Sequence, residues 1–170
     1  GKDVLKNISF TMKPNQKTAL IGPTGAGKTL IIYLIAGLID PTSGTIHIDG
    51  RPVNDYEVDY LRSKIAVVFQ DSVIFNSSVK ENIIFRAKLT DEQLEKIIFN
   101  SALDGFVKEQ KDGLETQISE RGASLSGGQK QRISLSRALA LTPELLLLDD
   151  FTARVDLKTE QTIFQRMSTN

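Results

Sequence analysis

One stretch of the chain has residue types and spacing suited to binding a phosphorylated ligand. It runs Gly22-Pro-Thr-Gly-Ala-Gly-Lys-Thr29 and fits the pattern G-x-x-x-x-G-K-[ST] at every fixed position. Glycines in such a loop let backbone N–H groups turn inward around an anion, and a helix behind the loop adds partial positive charge. The Lys28 ammonium would then reach the β- and γ-phosphates of a nucleotide, and the Thr29 hydroxyl would hold Mg²⁺. The alternative is a glycine-rich turn that only caps a helix. The predicted phosphate-binding residues are Gly22, Pro23, Thr24, Gly25, Ala26, Gly27, Lys28 and Thr29.

Short apolar segments on both sides predict the strand–loop–helix unit that this chemistry requires. Residues 17–21 ahead of the loop suit a strand, and residues 30–36 behind it suit a helix. A further strand is expected over residues 4–12, where apolar and polar residues loosely alternate. Period-two alternation predicts a half-buried strand over residues 45–50, with His47 facing solvent.

Two carboxylates follow another candidate strand. The run from Leu145 to Leu148 leads directly into Asp149 and Asp150. Its length and position favour a buried parallel strand over a buried helix, and ligands bind at the carboxyl ends of such strands. Asp149 would hold Mg²⁺ through water, and Asp150 would orient the attacking water; the alternative is a pair of exposed turn carboxylates. Residues 65–69 form a similar apolar run, suited to a sheet covered on both faces, with Gln70 at its end.

The remaining patterns are helical. Helices are predicted over residues 58–63, 78–85, 90–103, 105–110, 127–140 and 156–167, and Thr90 with Gln93 forms a capping-box pattern. Residues from 71 to about 124 lack convincing strands. We therefore predict an α/β fold of the P-loop NTPase (RecA-like) type with a mostly parallel sheet. Its core would comprise residues 1–70 and 142–170, and residues 71–141 would form an inserted helical subdomain.

Composition argues against several other kinds of function. Basic and acidic residues balance at 21 each, so charge gives no reason to predict a nucleic-acid partner or a polybasic membrane contact. The chain has no cysteine and therefore no disulfide framework or thiolate site. No apolar run approaches the roughly 18 residues of a membrane-spanning helix, so any membrane role is expected to come through other segments or chains.

A third motif lies between the other two along the chain. Residues Leu125-Ser-Gly-Gly-Gln129 stand at the start of the helix predicted over residues 127–140. Two glycines and a serine at a helix N-terminus form a second anion-binding surface, although alone they are compatible with a plain capping turn. In this order, the phosphate loop, Gln70, this signature and the acidic strand end resemble the ATP-binding cassette (ABC) family closely. The resemblance includes a D-loop at Thr152-Ala-Arg-Val-Asp156 and covers nearly the whole chain.

Two further segments resemble the exporters of that family. Residues 112–122 are similar to the exporter X-loop, and residues 78–83 also match the exporter pattern. The resemblance implies an ATP-hydrolysing motor domain that uses ATP and Mg²⁺ and dimerises head to tail with a second nucleotide-binding domain. It further implies a transmembrane domain as partner and a place at the cytoplasmic face of the membrane. A soluble ABC ATPase, and a regulatory ATP-binding half with little hydrolysis, remain the alternatives.

The resemblance also implies a role for individual residues. Each ATP would lie between the phosphate loop of one domain and the signature of its partner, and Gln70 would tether the helical subdomain as that subdomain moves on ATP binding. The implied catalytic residues are Asp150, Gln70 and Lys28, the metal-binding residues are Thr29, Gln70 and Asp149, and the signature residues at the nucleotide are Ser126, Gly127, Gly128 and Gln129.

The chain departs from the family pattern in four places. It begins after the expected adenine-stacking aromatic residue and ends before the strand of the switch histidine, which predicts a trimmed domain with weak hydrolysis in isolation. Asp150 stands where the family usually has glutamate, and Ala153 and Arg154 replace the usual Ser and Ala of the D-loop. The shorter Asp150 predicts a site that retains ATP but hydrolyses it slowly, and hence a parent that pairs with a different chain or domain.

Overall fold

The chain forms two compact units, which divide between Leu61 and Arg62. The computed structural model describes residues 4–119 and 122–168; the ends of the predicted core (1–3 and 169–170) and residues 120–121 of the predicted X-loop lie outside them. The helices are α1 (Lys28–Ile35), α2 (Val58–Lys64), α3 (Val79–Ile84), α4 (Asp91–Asn100), α5 (Asp104–Glu109), α6 (Gly127–Ala140) and α7 (Leu157–Arg166). The strands are β1 (His47–Ile48), β2 (Arg51–Pro52), β3 (Ile65–Val68) and β4 (Leu145–Leu148).

In the first unit, a tight hairpin replaces the single strand expected over residues 45–50. β1 pairs antiparallel with β2, and Ile48 lies opposite Arg51. The chain reverses at Asp49 and Gly50, whose φ angles of 49° and 77° are both positive. A two-residue hairpin turn of this kind requires positive φ at both positions, and Asp-Gly favours it. The predicted strand therefore ends early, while His47 is exposed as predicted.

The strands predicted over residues 4–12 and 17–21 are wrong: within residues 4–21, all of which the structure describes, the backbone forms no strand. The local hydrogen bond there closes a turn, from the N–H of Gln16 to the carbonyl of Lys13 at 3.2 Å. Val4 is 60% exposed and Ile21 is 95% exposed. A strand exists only through pairing with a neighbour, so an apolar run alone does not create one.

The second unit contains the parallel pair that the sequence predicts. β3 and β4 run parallel, with Ile65 opposite Leu145 and Val68 opposite Leu148. Apolar side chains of both strands pack with those of neighbouring helices, as expected for a sheet buried between elements. The buried cluster around this pair comprises Ala66, Val68, Leu135, Ala138, Phe151, Val155 and Ile163.

A second apolar cluster holds the helices between the two strands. Capping boxes start three of these helices, at Ser78 for α3, at Thr90 for α4 and at Ser126 for α6. The predicted pairing of Thr90 with Gln93 is thereby confirmed. The buried residues of this cluster are Ile74, Val79, Ile83, Leu94, Ile97, Ile98, Leu103, Phe106, Ile118, Ile133 and Ala140.

Helix α6 contributes to both clusters of the second unit. Ile133 belongs to the helical cluster, whereas Leu135 and Ala138 belong to the cluster around the strands. All three are almost fully buried, so α6 is apolar on more than one face and joins the two cores. Among the described helices, none has both the length and the apolar character needed to span a membrane.

Candidate active site

The phosphate loop has the backbone shape that an anion nest requires. Gly25 and Gly27 have φ angles of 81° and 90°, which residues with a Cβ rarely adopt. The N–H of Ala26 donates to the carbonyl of Pro23 at 3.2 Å and closes the turn. Gly27 is the N-cap of α1 and provides no side-chain cap, so the first N–H groups of α1 suit a bound anion. The exposed part of the loop comprises Gly22, Pro23, Thr24, Gly25 and Ala26.

The Lys28 ammonium lies against the start of the same loop. Its Nζ donates to the carbonyl oxygens of Gly22 at 2.8 Å and Pro23 at 3.0 Å. Both contacts are solvent-exposed, so phosphate oxygens can replace them with a stronger, charge-assisted bond. Thr29 follows as the second residue of α1 and is half-buried. The loop, the Lys28 ammonium and Thr29 thus lie together at the start of α1 within the first unit.

In the second unit, Asp149 and Asp150 follow β4 directly, as predicted. The N–H of Asp149 donates to the carbonyl of Val68 at 2.9 Å, which continues the β3–β4 ladder by one residue. The Asp149 side chain lies in the interior, and the residue is 5% exposed. Asp150 has a φ of 47° and is exposed, because the chain turns there into a short 3₁₀ helix. The ladder thus fixes one carboxylate inside and presents the other to solvent.

Gln70 and Asp150 meet at the carboxyl end of the parallel pair. Gln70 lies two residues beyond the end of β3, and parallel neighbours end at the same edge of a sheet. Its Nε2 donates to Oδ2 of Asp150 at 3.2 Å. Because the amide nitrogen is engaged there, the Oε1 of Gln70 is the atom suited to a metal ion. The contact brings together two residues that the sequence analysis assigned to one candidate site.

The oxygen donors of this edge fit Mg²⁺ that arrives with a nucleotide. In the described part of the chain, no group of three His, Cys, Asp or Glu side chains is placed to hold a metal ion. Mg²⁺ usually needs only one or two carboxylates, and phosphate oxygens and water complete its coordination. The buried carboxylate of Asp149 and the amide oxygen of Gln70 are donors of the right kind. The residues therefore suit a metal shared with a phosphate rather than a metal caged by protein.

The signature begins α6 with a complete capping box. Ser126 Oγ accepts from the N–H of Gln129 at 3.2 Å, and the N–H of Ser126 donates to Gln129 Oε1 at 2.8 Å. Because Oγ serves the helix as an acceptor, its own hydrogen is suited to an outside anion. The N–H groups of Gly127 and Gly128 stand in the first turn, where an α-helix offers them no acceptor of its own. Gln129 thus supports the start of the helix through its Oε1.

Gly128 is required by the D-loop that packs against it. A Cβ at this position would lie 2.9 Å from the carbonyl oxygen of Arg154, closer than real Cβ contacts allow. A Cβ on Gly127 would meet the Arg154 Cδ at 3.5 Å, an ordinary contact. The two signature glycines therefore have different reasons to be glycine. Gly128 allows the close approach of the Arg154 backbone, whereas a Cβ at Gly127 would make only ordinary contacts.

A half-buried guanidinium supports the same end of α6. Arg132 Nη1 donates to the carbonyl of Ala102 at 2.6 Å, and its Nε donates to the carbonyl of Gly128 at 3.4 Å. Burial lowers the pKa of Arg132 from its ordinary value, although the charges of nearby carboxylates, of which Asp156 is the strongest, act to raise it. Arg132 stays a cation at any physiological pH, so positive charge lies one turn behind the signature.

The sequence reasoning missed the contacts that surround Gln70. The buried side chain of Gln131 contacts residues on both sides of it, and Arg154 Nη2 donates to Oδ1 of Asp71 at 2.7 Å. A signal for the first contact was present: Gln131 lies four residues before the apolar Leu135 on one face of a helix. A polar residue in such a stripe indicates a satisfied buried group. The partner of Arg154 could not be inferred from spacing.

Comparisons with known proteins agree with this geometry. The family model described as ABC transporter matches residues 5–153. "ATP-binding cassette sub-family B member 6" of Xenopus tropicalis is 40% identical over 96% of this chain and 19% of the relative. "Iron-sulfur clusters transporter ATM1, mitochondrial" of Saccharomyces cerevisiae is 37% identical over 99% of this chain and 25% of the relative. The chain thus spans about a fifth to a quarter of the length of these relatives.

A solved structure is similar as well. Its title is "Structure of a bacterial Atm1-family ABC exporter with ATP bound", and its TM-score to this chain is 0.81 at 36% sequence identity. The match covers 86% of this chain and 26% of the other. A likeness of this extent carries both the fold and the order of the site motifs.

Proposed function

The chain belongs to the ABC transporter family, has its P-loop NTPase fold and is a nucleotide-binding ATPase domain, and we propose that it is the motor domain of an exporter. The observation that carries the proposal is the contact of Gln70 with Asp150 at the strand edge that also bears Asp149. This edge combines a metal-binding carboxylate with a candidate base, as ATP hydrolysis requires. The named exporter and transporter relatives support the role in transport.

Each residue of the site has a distinct part in the proposed chemistry. The loop backbone and Lys28 bind the β- and γ-phosphates, and the cation offsets the charge that grows on them. Thr29, Asp149 and Gln70 would hold Mg²⁺ through their oxygen atoms, and the ion would supply charge neutralisation at the phosphates. Asp150 accepts a hydrogen bond from the attacking water and orients it. The contact with Gln70 Nε2 holds the Asp150 carboxylate in place.

The nucleotide site is completed by a second nucleotide-binding domain. The signature presents the hydroxyl of Ser126 and the first-turn N–H groups of Gly127 and Gly128 on an exposed helix end. Such an end binds phosphate, and the phosphate loop of this chain already provides one such surface. A head-to-tail pair would place the signature of one domain on the γ-phosphate held by the other. ATP would then act as the link that closes the pair.

The helical subdomain is proposed to transmit this closure to a transmembrane domain at the cytoplasmic face of the membrane. We assign residues 1–70 and 142–170 to the ATP-binding core and residues 71–141 to the subdomain. Support comes from the separate apolar clusters of the second unit, one around the strands and one among the helices. Helix α6 contributes to both, so motion of the signature is coupled to both clusters.

The proposal is tested on the full-length protein that carries this chain. We expect it to remain in the membrane fraction after a high-salt wash and to hydrolyse ATP after purification in detergent. Recovery of an active ATPase in the fraction without membranes would favour the soluble type of ABC protein instead. Tight ATP binding without any hydrolysis, even with a partner chain present, would favour a regulatory half.

Asp150 leads to a finer proposal about the partner. An aspartate carboxylate stands one methylene farther from the water than a glutamate would, and Gln70 already holds it in that position. We infer that this site hydrolyses ATP slowly and that the parent pairs with a different chain or domain whose site has the usual glutamate. The signature of this chain is complete, so it can serve such a partner.

A further inference from the structure

One buried polar side chain of α6, that of Gln131, contacts both ends of the segment that contains Gln70. Gln131 is 1% exposed. Its Nε2 donates to the carbonyl of Phe69 at 3.1 Å, and its Oε1 accepts from the hydroxyl of Ser72. Phe69 and Ser72 stand directly before and two residues after Gln70. One side chain therefore spans the segment and bonds to it at two points.

The two residues between these points, Gln70 and Asp71, contact residues that follow β4. Gln70 Nε2 donates to Asp150 at 3.2 Å, and Arg154 Nη2 donates to Asp71 at 2.7 Å. The side chain of Asp71 is 90% exposed, and solvent weakens an ion pair of that kind. The Gln131 side chain is buried and its two hydrogen bonds are part-buried, so solvent weakens them less than it weakens that ion pair. Gln131 therefore helps to set the position of Gln70, together with the β3–β4 ladder that extends to Asp149.

Helix α6 connects Gln131 and its two hydrogen bonds to the signature. The helix begins at Gly127 with Ser126 as its cap, and Gln131 follows within its first two turns. The backbone hydrogen bonds of an α-helix make its first turns move as one body. A displacement of the signature end therefore carries the carbonyl of Phe69 and the hydroxyl of Ser72 with it.

We propose that Gln131 is a positioning residue for ATP hydrolysis, which holds Gln70 against Asp150 and couples their placement to the signature. The inference rests on the proposed function, since it assigns Gln131 a part in that same site. Gln131 acts through Gln70 and contacts no reacting atom. Its removal should lower the rate of the chemical step and leave ATP affinity largely as it is.

The test compares single substitutions in the full-length protein assembled with its partner. Gln131→Met keeps the size of the side chain and removes both hydrogen bonds. We expect the single-turnover rate of ATP hydrolysis at saturating ATP to fall about tenfold, since displacements near 1 Å cost up to about 100-fold. The ATP concentration for half-saturation should stay within about twofold, because the phosphate loop is untouched. Gln161→Met makes the same chemical change on an exposed face of α7 and should leave the rate unchanged.

A double-substitution cycle separates positioning from plain stabilisation. If Gln131 acts through Gln70, then Gln131→Met adds no further loss in a Gln70→Ala background. The inference is overturned if the rate losses of the two single variants multiply in the double variant. It is also overturned if Gln131→Met hydrolyses ATP at the wild-type rate. If Gln131→Met fails to fold, Ser72→Ala is used in its place, because it removes one of the two hydrogen bonds. The same cycle with Gln70→Ala then tests the inference. A Gln70→Ala variant that hydrolyses ATP as fast as wild type would instead contradict the proposed function of the site.

Discussion

Asp150 is the residue at which this chain differs most in its chemistry from the family pattern. Its side chain accepts a hydrogen bond from Gln70 at 3.2 Å, while the neighbouring Asp149 is buried. We predict that Asp150→Glu, in the full-length protein with its partner, raises the rate of ATP hydrolysis by up to about 100-fold, because a displacement near 1 Å can cost that much. ATP affinity should change little.

The measurement is steady-state ATP hydrolysis of the parent expressed alone and with its candidate partner. Asp112→Glu adds the same methylene at an exposed position and should have no effect. A parent that forms a homodimer, hydrolyses ATP briskly and gains nothing from Asp150→Glu would contradict the assignment of a slow site.

Lys28 is the cation on which phosphate binding depends. Its ammonium already lies within 3.0 Å of two loop carbonyls, and phosphate oxygens would form stronger bonds with it. We predict that Lys28→Ala weakens ATP binding and lowers hydrolysis by about 10²-fold or more, in line with the loss of one preorganised donor. ATP titration followed by fluorescence checks the first effect, and phosphate release checks the second. Lys88→Ala removes an exposed lysine and should change neither; equal affinity and turnover in Lys28→Ala would refute the assignment.

At the residue scale, the sequence predicts the candidate ligand-binding residues better than the residues that hold them in position. The positions of Lys28, Gln70 and Asp149 follow from motifs whose spacing reflects the ligand. The bond of Gln131 to Phe69 spans 62 positions in the chain, and no local pattern specifies a contact of that length. Candidate ligand-binding residues could therefore be proposed from the sequence, whereas the residues that hold them in place required the structure.

Among the elements, α6 connects the signature to both apolar clusters of the second unit. The sequence predicted its bounds, because these depend on helical period and local capping. The strands over residues 4–12 and 17–21 were predicted from apolar patterns in the same way and are wrong. A helix makes its hydrogen bonds within itself, whereas a strand requires a partner elsewhere in the chain.

The contact of α6 with the D-loop gives a prediction for the two signature glycines. Gly127→Ala should keep or slightly raise the free energy of unfolding, because Ala favours a helix over Gly by about 1 kcal/mol. Gly128→Ala should lower it by about 1–3 kcal/mol, since its Cβ would lie 2.9 Å from the Arg154 carbonyl and overpacking carries such a cost. Urea unfolding of the two variants compares them directly. Equal unfolding free energies would show that the D-loop moves aside without cost.

The contact between α5 and α7 predicts a change of stability in acid. Burial acts to raise the pKa of Asp104, but its hydrogen bond to Arg166 at 2.8 Å and that cation's charge outweigh burial and lower the pKa below its ordinary value. A lowered pKa in the folded state adds stability above the ordinary value near 3.9, and this is lost as the pH falls through the folded pKa.

Asp104→Asn should therefore cost about 0.5–1 kcal/mol near pH 6, the range for a largely solvent-screened pair. The difference from wild type should shrink as the pH falls below the ordinary value near 3.9 and through the lowered pKa of the folded state. Urea unfolding across this pH range provides the measurement, with Asp112→Asn as an exposed control. A difference that stays constant with pH would mean that Asp104 acts by packing and not by charge.

For the whole molecule, the account requires that the signature acts on a nucleotide held by another domain. Its capping box fixes Ser126 and exposes the start of α6, so the surface is preformed and available to a partner. The phosphate loop holds Lys28 by contacts of its own. ATP binding and ATP-driven closure should therefore depend on different residues of this chain.

The most direct test of this account is Ser126→Arg in the full-length protein with its partner. Photolabelling with an azido-ATP, followed by separation of the chains, measures nucleotide bound by this chain, and crosslinking in the presence of ATP measures closure of the pair. The account predicts labelling of this chain within about twofold of wild type and loss of closure, because a bulky cation stands where small donors should meet a γ-phosphate. Ser43→Arg, the same change at an exposed residue of the first unit, should leave both unchanged. Loss of labelling of this chain itself would contradict the account, since it would mean that Ser126 serves the nucleotide bound by its own domain.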